Sequence, residues 1–138
     1  MSYDKNYSNW KNDPISFWEE KAKNIDWFKP WEKTLEEKES SSWSWFTGGS
    51  LNTCYNCIDR HIKRGKGDKV AIIFDSPITN YKNKITYNEL YIKVSSLAAS
   101  LENQGVTKGD RVILYMPMIP EVIVSMLACA RIGAIHSV

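Results

Sequence analysis

Cys54-x-x-Cys57-x-x-x-His61 is the tightest cluster of potentially reactive side chains in the sequence. Spacings of three and four put all three groups on neighbouring turns of one helix side. Thiolate and imidazole bind zinc, and Cys129 could supply a fourth donor. Structural zinc sites, however, draw on turns and on two separated ligand pairs, and no second C-x-x-C follows. A redox C-x-x-C needs its first cysteine at a helix N-terminus behind an apolar strand, where the thiolate is stabilised. The preceding GGSLN is not such a strand. The cysteines are therefore expected to be packing residues, with metal binding or redox chemistry as alternatives.

His61 and His136 are the only histidines. His61 follows Asp59-Arg60 and reads as an exposed or structural polar residue. His136 and Ser137 are adjacent in a predicted strand, so they point to opposite faces and cannot pair as base and nucleophile. Phosphate-cradling glycine motifs are absent: there is no G-x-x-x-x-G-K-[ST] and no G-x-G-x-x-G. GKGDK at Gly65 to Lys69 and KGDR at Lys108 to Arg111 read as tight turns ahead of strands. Spacing alone yields no catalytic, cofactor-binding or metal site.

The elements that would position these groups follow from patterning. The opening, MSYDKNYSNWKND, reads as polar and turn-rich. Asp13-Pro14 then supplies a cap and a pre-organised first helical residue, with Ile15, Trp18, Ala22 and Ile25 as one apolar stripe. From Asn24 to Phe46 the chain reads as an irregular, aromatic arm, broken at Pro30 and at Ser40 to Ser42. All six tryptophans lie in the first 45 residues. They are expected to anchor the arm, each burying much area on a neighbouring domain. A stacking platform for single-stranded nucleic acid is the other use of such residues, but Glu32, Glu36, Glu37 and Glu39 cancel the lysines that would track phosphate.

Gly48-Gly49 predicts a turn, Asn52 or Thr53 a helix cap, and Leu51, Tyr55, Ile58 and Ile62 a second stripe ending at Gly65. Val70 to Asp75 reads as a strand, SPITNYKNK as a long connection and Lys84 to Tyr87 as the partner strand. Thr86-Tyr-Asn-Glu89 is a capping box opening a helix with Leu90, Val94, Leu97, Ala98 and Leu101 on one face and Gly105 just past its end. Arg111 to Tyr115 is the next predicted strand. Pro120-Glu121 starts a helix, Val122 to Ile132, that is apolar on nearly every side and so expected to be deeply buried. Gly133 stops it, and Ala134 to Val138 resumes as strand. This is a right-handed βαβ unit of a parallel sheet, which needs both faces covered. The chain therefore reads as the front of a longer α/β protein.

Composition bounds the rest. The length, 138 residues, suits one domain with an appendage. Net charge is +2, from 18 basic and 16 acidic residues, too balanced to imply a nucleic-acid or membrane surface. Three cysteines, a polar N-terminus and no apolar run near the roughly 20 residues of a membrane span point to a reducing cytoplasm.

Several stretches together resemble the AMP-forming short-chain acyl-CoA synthetases, the acetyl- and propionyl-CoA synthetase group. They are FWEEKAKNIDWFKPW, WFTGGSLNTCYNCIDRH, ITYNEL and, most specifically, GVTKGDRVILYMPMIPEVIVSMLACARIGAIHSV. WFTGGSLNTCYNCIDRH is more similar to the propionyl branch. The resemblance implies an N-terminal cap segment over residues 1–60 and the first strands and helices of an adenylate-forming, AMP-binding domain over 61–138, incomplete here. It also implies a two-step reaction. A short carboxylate attacks the α-phosphate of Mg-ATP to give acyl-AMP and pyrophosphate, and the thiol of coenzyme A then displaces AMP. The family's phosphate loop, nucleotide binders, coenzyme A loop and catalytic lysine match no position in this sequence. No catalytic, cofactor or metal residue is carried over, and neither ATP, Mg²⁺ nor coenzyme A is expected to bind these residues well. The resemblance makes Cys54, Cys57 and the tryptophans scaffold. The rival expectation is a non-enzymatic binding module using the aromatic arm, which salt-sensitive capture of single-stranded DNA would reveal.

Overall fold

The computed structural model describes residues 2–38 and 42–138; Glu39, Ser40 and Ser41, part of the expected acidic run and serine break, lie outside the described residues. The chain forms two compact units, Met1–Leu51 and Asn52–Val138.

The first unit is more regular than its composition suggests. Tyr3–Asn12 is a helix, α1, where a turn-rich stretch was expected. The Ser2 hydroxyl caps it by accepting from Lys5 N. Tyr3, Tyr7 and Trp10 recur at helical spacing, with successive rings 6.0 and 5.8 Å apart. None of its residues is buried, so tyrosine pairing and capping substitute for a core-facing stripe. α2, Pro14–Ala22, begins as predicted, with the Asp13 carboxylate accepting from Ser16 N at 3.0 Å. It stops before Ile25, and of the predicted stripe only Ala22 is buried.

The arm expected to be irregular contains an antiparallel hairpin, β1 (Lys33–Lys38) and β2 (Ser42–Thr47), with Leu35 opposite Trp45 and Glu37 opposite Trp43. Alternation of large and polar residues in SWSWFT is a strand signal that the density of aromatics hides. Trp27, Trp31 and Phe46 pack mutually, with centroids 5.0 to 5.5 Å apart. Both indoles find partners, Trp27 donating to Ala22 O and Trp31 to Thr34 Oγ1. Gly49 is required beneath this cluster, since a Cβ there would lie 2.7 Å from the Trp27 ring. Trp10, Trp18, Trp43 and Trp45 stay substantially exposed, while Trp27 and Trp31 pack in this unit's own aromatic cluster.

The second unit is α/β. Residues 53–66 form one helix, wound as π over Tyr55–Asp59 and Ile62–Lys66 and kinked at Gly65 (φ 73°). β3 (Val70–Ser76) and β4 (Tyr81–Thr86) form a hairpin. Its turn is shorter than expected, because Tyr81 to Asn83 pair rather than loop and Asn80 takes the left-handed conformation that closes the turn. Tyr87 belongs to the next helix, not to the strand. That helix, α3 (Tyr87–Asn103), opens on the predicted capping box: Thr86 Oγ1 accepts from Glu89 N at 3.2 Å, and Glu89 Oε2 from Thr86 N at 2.8 Å. It closes with the paired bonds of a Schellman motif, Val106 N to Leu101 O and Gly105 N to Glu102 O.

β5 (Arg111–Ile113) and β6 (Ile135–Ser137) pair in parallel through α4 (Pro120–Ile132), as the βαβ pattern predicts, though both strands are shorter than Arg111 to Tyr115 and Ala134 to Val138. Gly133 (φ 78°) ends α4, with Ala134 N donating to Cys129 O. Along α4 only Glu121 and Ile123 remain exposed. The core of this unit joins Cys54, Ile58, Ile85, Leu90, Val94, Ala98, Val124 and Ala128.

Candidate functional site

The structure separates the Cys54, Cys57 and His61 set. Cys54 is completely buried in the core and Cys57 is exposed. The His61 ring packs at 5.1 Å from Tyr87. The helix that carries them is wound partly as π, and one thiol is sealed in the core while the other is at the surface, so the set does not form one open site. Burial pushes the Cys54 thiol up to about 11, the Arg131 charge opposing it. Burial also pushes Cys129 up. Both thiols are held protonated at neutral pH, the opposite of what a metal ligand or nucleophile requires. Among the described residues no group of three or more His, Cys, Asp or Glu side chains is placed to hold a metal ion.

The two glycine turns are committed to the scaffold. In Gly65 to Lys69, Gly67 O accepts from Asn88 N, Lys69 O from Tyr87 N, and Asp68 Oδ1 from Asn88 Nδ2, so this turn seats the start of α3. A Cβ on Gly67 would fall 2.5 Å from Asn88 Oδ1; the close approach is to the helix rather than to a ligand. In Lys108 to Arg111, Gly109 N donates to Gly133 O, while Asp110 Oδ2 accepts from both Thr107 N and Thr107 Oγ1. That turn clamps the exit of α4. With Gly67 O, Lys69 O and Gly109 N committed to these contacts, neither turn is shaped as a phosphate cradle, and among the described residues no acidic cluster is placed to hold Mg²⁺. His136 is half-buried opposite Val112, while Ser137 faces outward, as strand alternation requires.

What the fold does assemble is a polar knot around the end of α4. Arg131 donates to both carboxylate oxygens of Asp59, at 3.2 and 2.8 Å, with side chains only 23% and 15% exposed. Its guanidinium also lies 5.1 Å from the Tyr91 ring centroid. One arginine thereby ties the π-wound helix, α3 and α4 together. Burial works against its charge, but the Asp59 hydrogen bond with the charges of Cys54, Asp59 and Tyr91 outweighs it and raises the guanidinium above its ordinary value. Asn52 completes the knot. Its Nδ2 donates to Ala130 O and Arg131 O, and its Oδ1 accepts from Tyr55 N at 2.9 Å. A single amide caps the end of one helix and the start of another. Asn52 as a cap was legible locally; the Asp59–Arg131 pair, 72 residues apart, was not. Its one sequence signal is a charge inside the apolar run MLACARIGA, which demands a partner.

The comparisons with known proteins bear on both units. The family model described as "AMP-binding enzyme" matches residues 58–138, more than half of the chain. The chain belongs to the AMP-binding enzyme family. A second model, "Acetyl-coenzyme A synthetase N-terminus", matches residues 3–57. The chain is 62% identical, over 91% of its length, to acyl-CoA synthetase short-chain family member 3, mitochondrial, of Bos taurus, and 50% identical, over 99%, to acetyl-coenzyme A synthetase of Bartonella bacilliformis. Among solved structures, acetoacetyl-CoA synthetase from Streptomyces lividans superposes with a TM-score of 0.82 at 29% identity, covering 94% of this chain. The fold is thus the α/β start of the AMP-binding enzyme fold. The chain spans about a fifth of the length of these relatives, 18% and 21% of the two curated ones and 20% of the solved structure.

Proposed function

We propose that this chain is the scaffold-forming front of an AMP-forming short-chain acyl-CoA synthetase, activating acetate or propionate with Mg-ATP and passing the acyl group to coenzyme A. The observation that carries this reading is identity spread across both units to relatives that are all named as acyl-CoA or acetyl-CoA synthetases. The division we adopt is a cap segment over residues 1–60 and the opening of the AMP-binding domain over 61–138. None of the 138 residues is assigned a catalytic, nucleotide-binding or metal role, because Cys54 and Cys129 are buried packing residues whose thiols burial pushes up, Cys57 stands apart from them at the surface, and the glycine turns are bonded to helix ends. Carboxylate, ATP and coenzyme A contacts belong to parts of the family enzyme that these residues do not match. Three free cysteines, two of them buried, support a reducing cytoplasm. No helix among the described residues is long and apolar enough to cross a membrane.

Grafting tests the reading. Residues 1–138 replace the matching fifth of the Bartonella bacilliformis enzyme, and acid-dependent AMP release is measured with acetate and propionate. A folded chimera with activity close to the parent is expected. A chimera that melts cooperatively yet forms no acyl-CoA would overturn the assignment. The 138-residue chain by itself is expected to give no ATP–pyrophosphate exchange above background with either acid.

A further inference from the structure

We draw no further inference here: the strongest candidate, the cleft of about 870 Å³ between the β3–β4 hairpin tip (Ile73, Ile78, Tyr81) and the turn entering α4 (Met118, Pro120), is an open apolar surface, and nothing in the structure shows what covers it.

Discussion

Arg131 is the residue on which the second unit turns. A guanidinium mostly withdrawn from water is tolerable only because Asp59 meets it bidentately and Tyr91 lies beneath it. Removing one partner leaves the other charge buried and unpaired, so Asp59→Asn and Arg131→Met are each expected to cost on the order of 3 kcal/mol. The double variant should cost clearly less than their sum, because it strands no charge. Urea unfolding of all four proteins measures this coupling; strictly additive losses would remove the knot from the account. The thiols give a second residue-scale test. In the native protein at pH 8, Cys57 should react with a thiol reagent quickly, and Cys54 and Cys129 only on unfolding. Because the folded Cys54 holds its proton up to about 11 against an ordinary 9.0, the unfolded chain loses that proton first as pH rises. The stability contributed is complete below pH 9 and is lost between pH 9 and 11, on the order of 2 kcal/mol. In Cys54→Ala this part of the alkaline slope should be missing.

At the scale of elements, stability is concentrated at helix ends. The Thr86–Glu89 capping box and the Gly105 and Gly133 exits fix where α3 begins and where α3 and α4 end, and hence how β5 and β6 are presented. Thr86→Ala removes one side of the box and should cost about 1 kcal/mol. Gly133→Ala should cost at least about 1 kcal/mol, since a Cβ at φ 78° is strained and would also press on Lys108 Cγ at 3.0 Å. Asn52→Ala, which uncaps two helix ends together, is expected to cost about 2 kcal/mol. Thermal unfolding with circular dichroism ranks the three; if Asn52→Ala were no worse than Thr86→Ala, its double role would be wrong. The Thr86–Glu89 box, the glycine exits and the Asn52 cap on Tyr55 were readable from the sequence because they act within a few residues; the bonds of Asn52 to Ala130 and Arg131, 78 and 79 residues away, were not. The π winding of 53–66 and the β1–β2 hairpin were not, the first because it answers to packing on α3 and the second because pairing is non-local.

Across the whole molecule, the core of the second unit is small and much apolar surface remains in contact with water. Ile78 is 95% exposed, Met118 85% and Ile113 82%, and the outward side of the short parallel sheet carries Ile113 and Ile135. Parallel strands ordinarily lie covered on both faces, and exposed apolar surface of this kind drives association. The purified 138-residue chain is therefore expected to self-associate at micromolar concentration. Ile113→Lys with Met118→Lys should shift sedimentation toward the monomer without lowering the melting temperature. Unchanged sedimentation would mean that these residues do not drive the association.

By itself the sequence determined the parallel βαβ unit, the capping box, the glycine exits and the family resemblance, since each is written in residues close together along the chain. It also excluded a glycine-rich phosphate loop, which spacing alone can decide. Tertiary structure decided what long-range contact controls. It buried Cys54 while exposing Cys57, and it closed the Asp59–Arg131 pair across 72 residues. It also bound both glycine turns to helix ends, the first through the carbonyls of Gly67 and Lys69 and the second through Gly109 N. Local spacing names which groups could do chemistry, but burial and partners set their protonation and reach, and those come only from the packed chain.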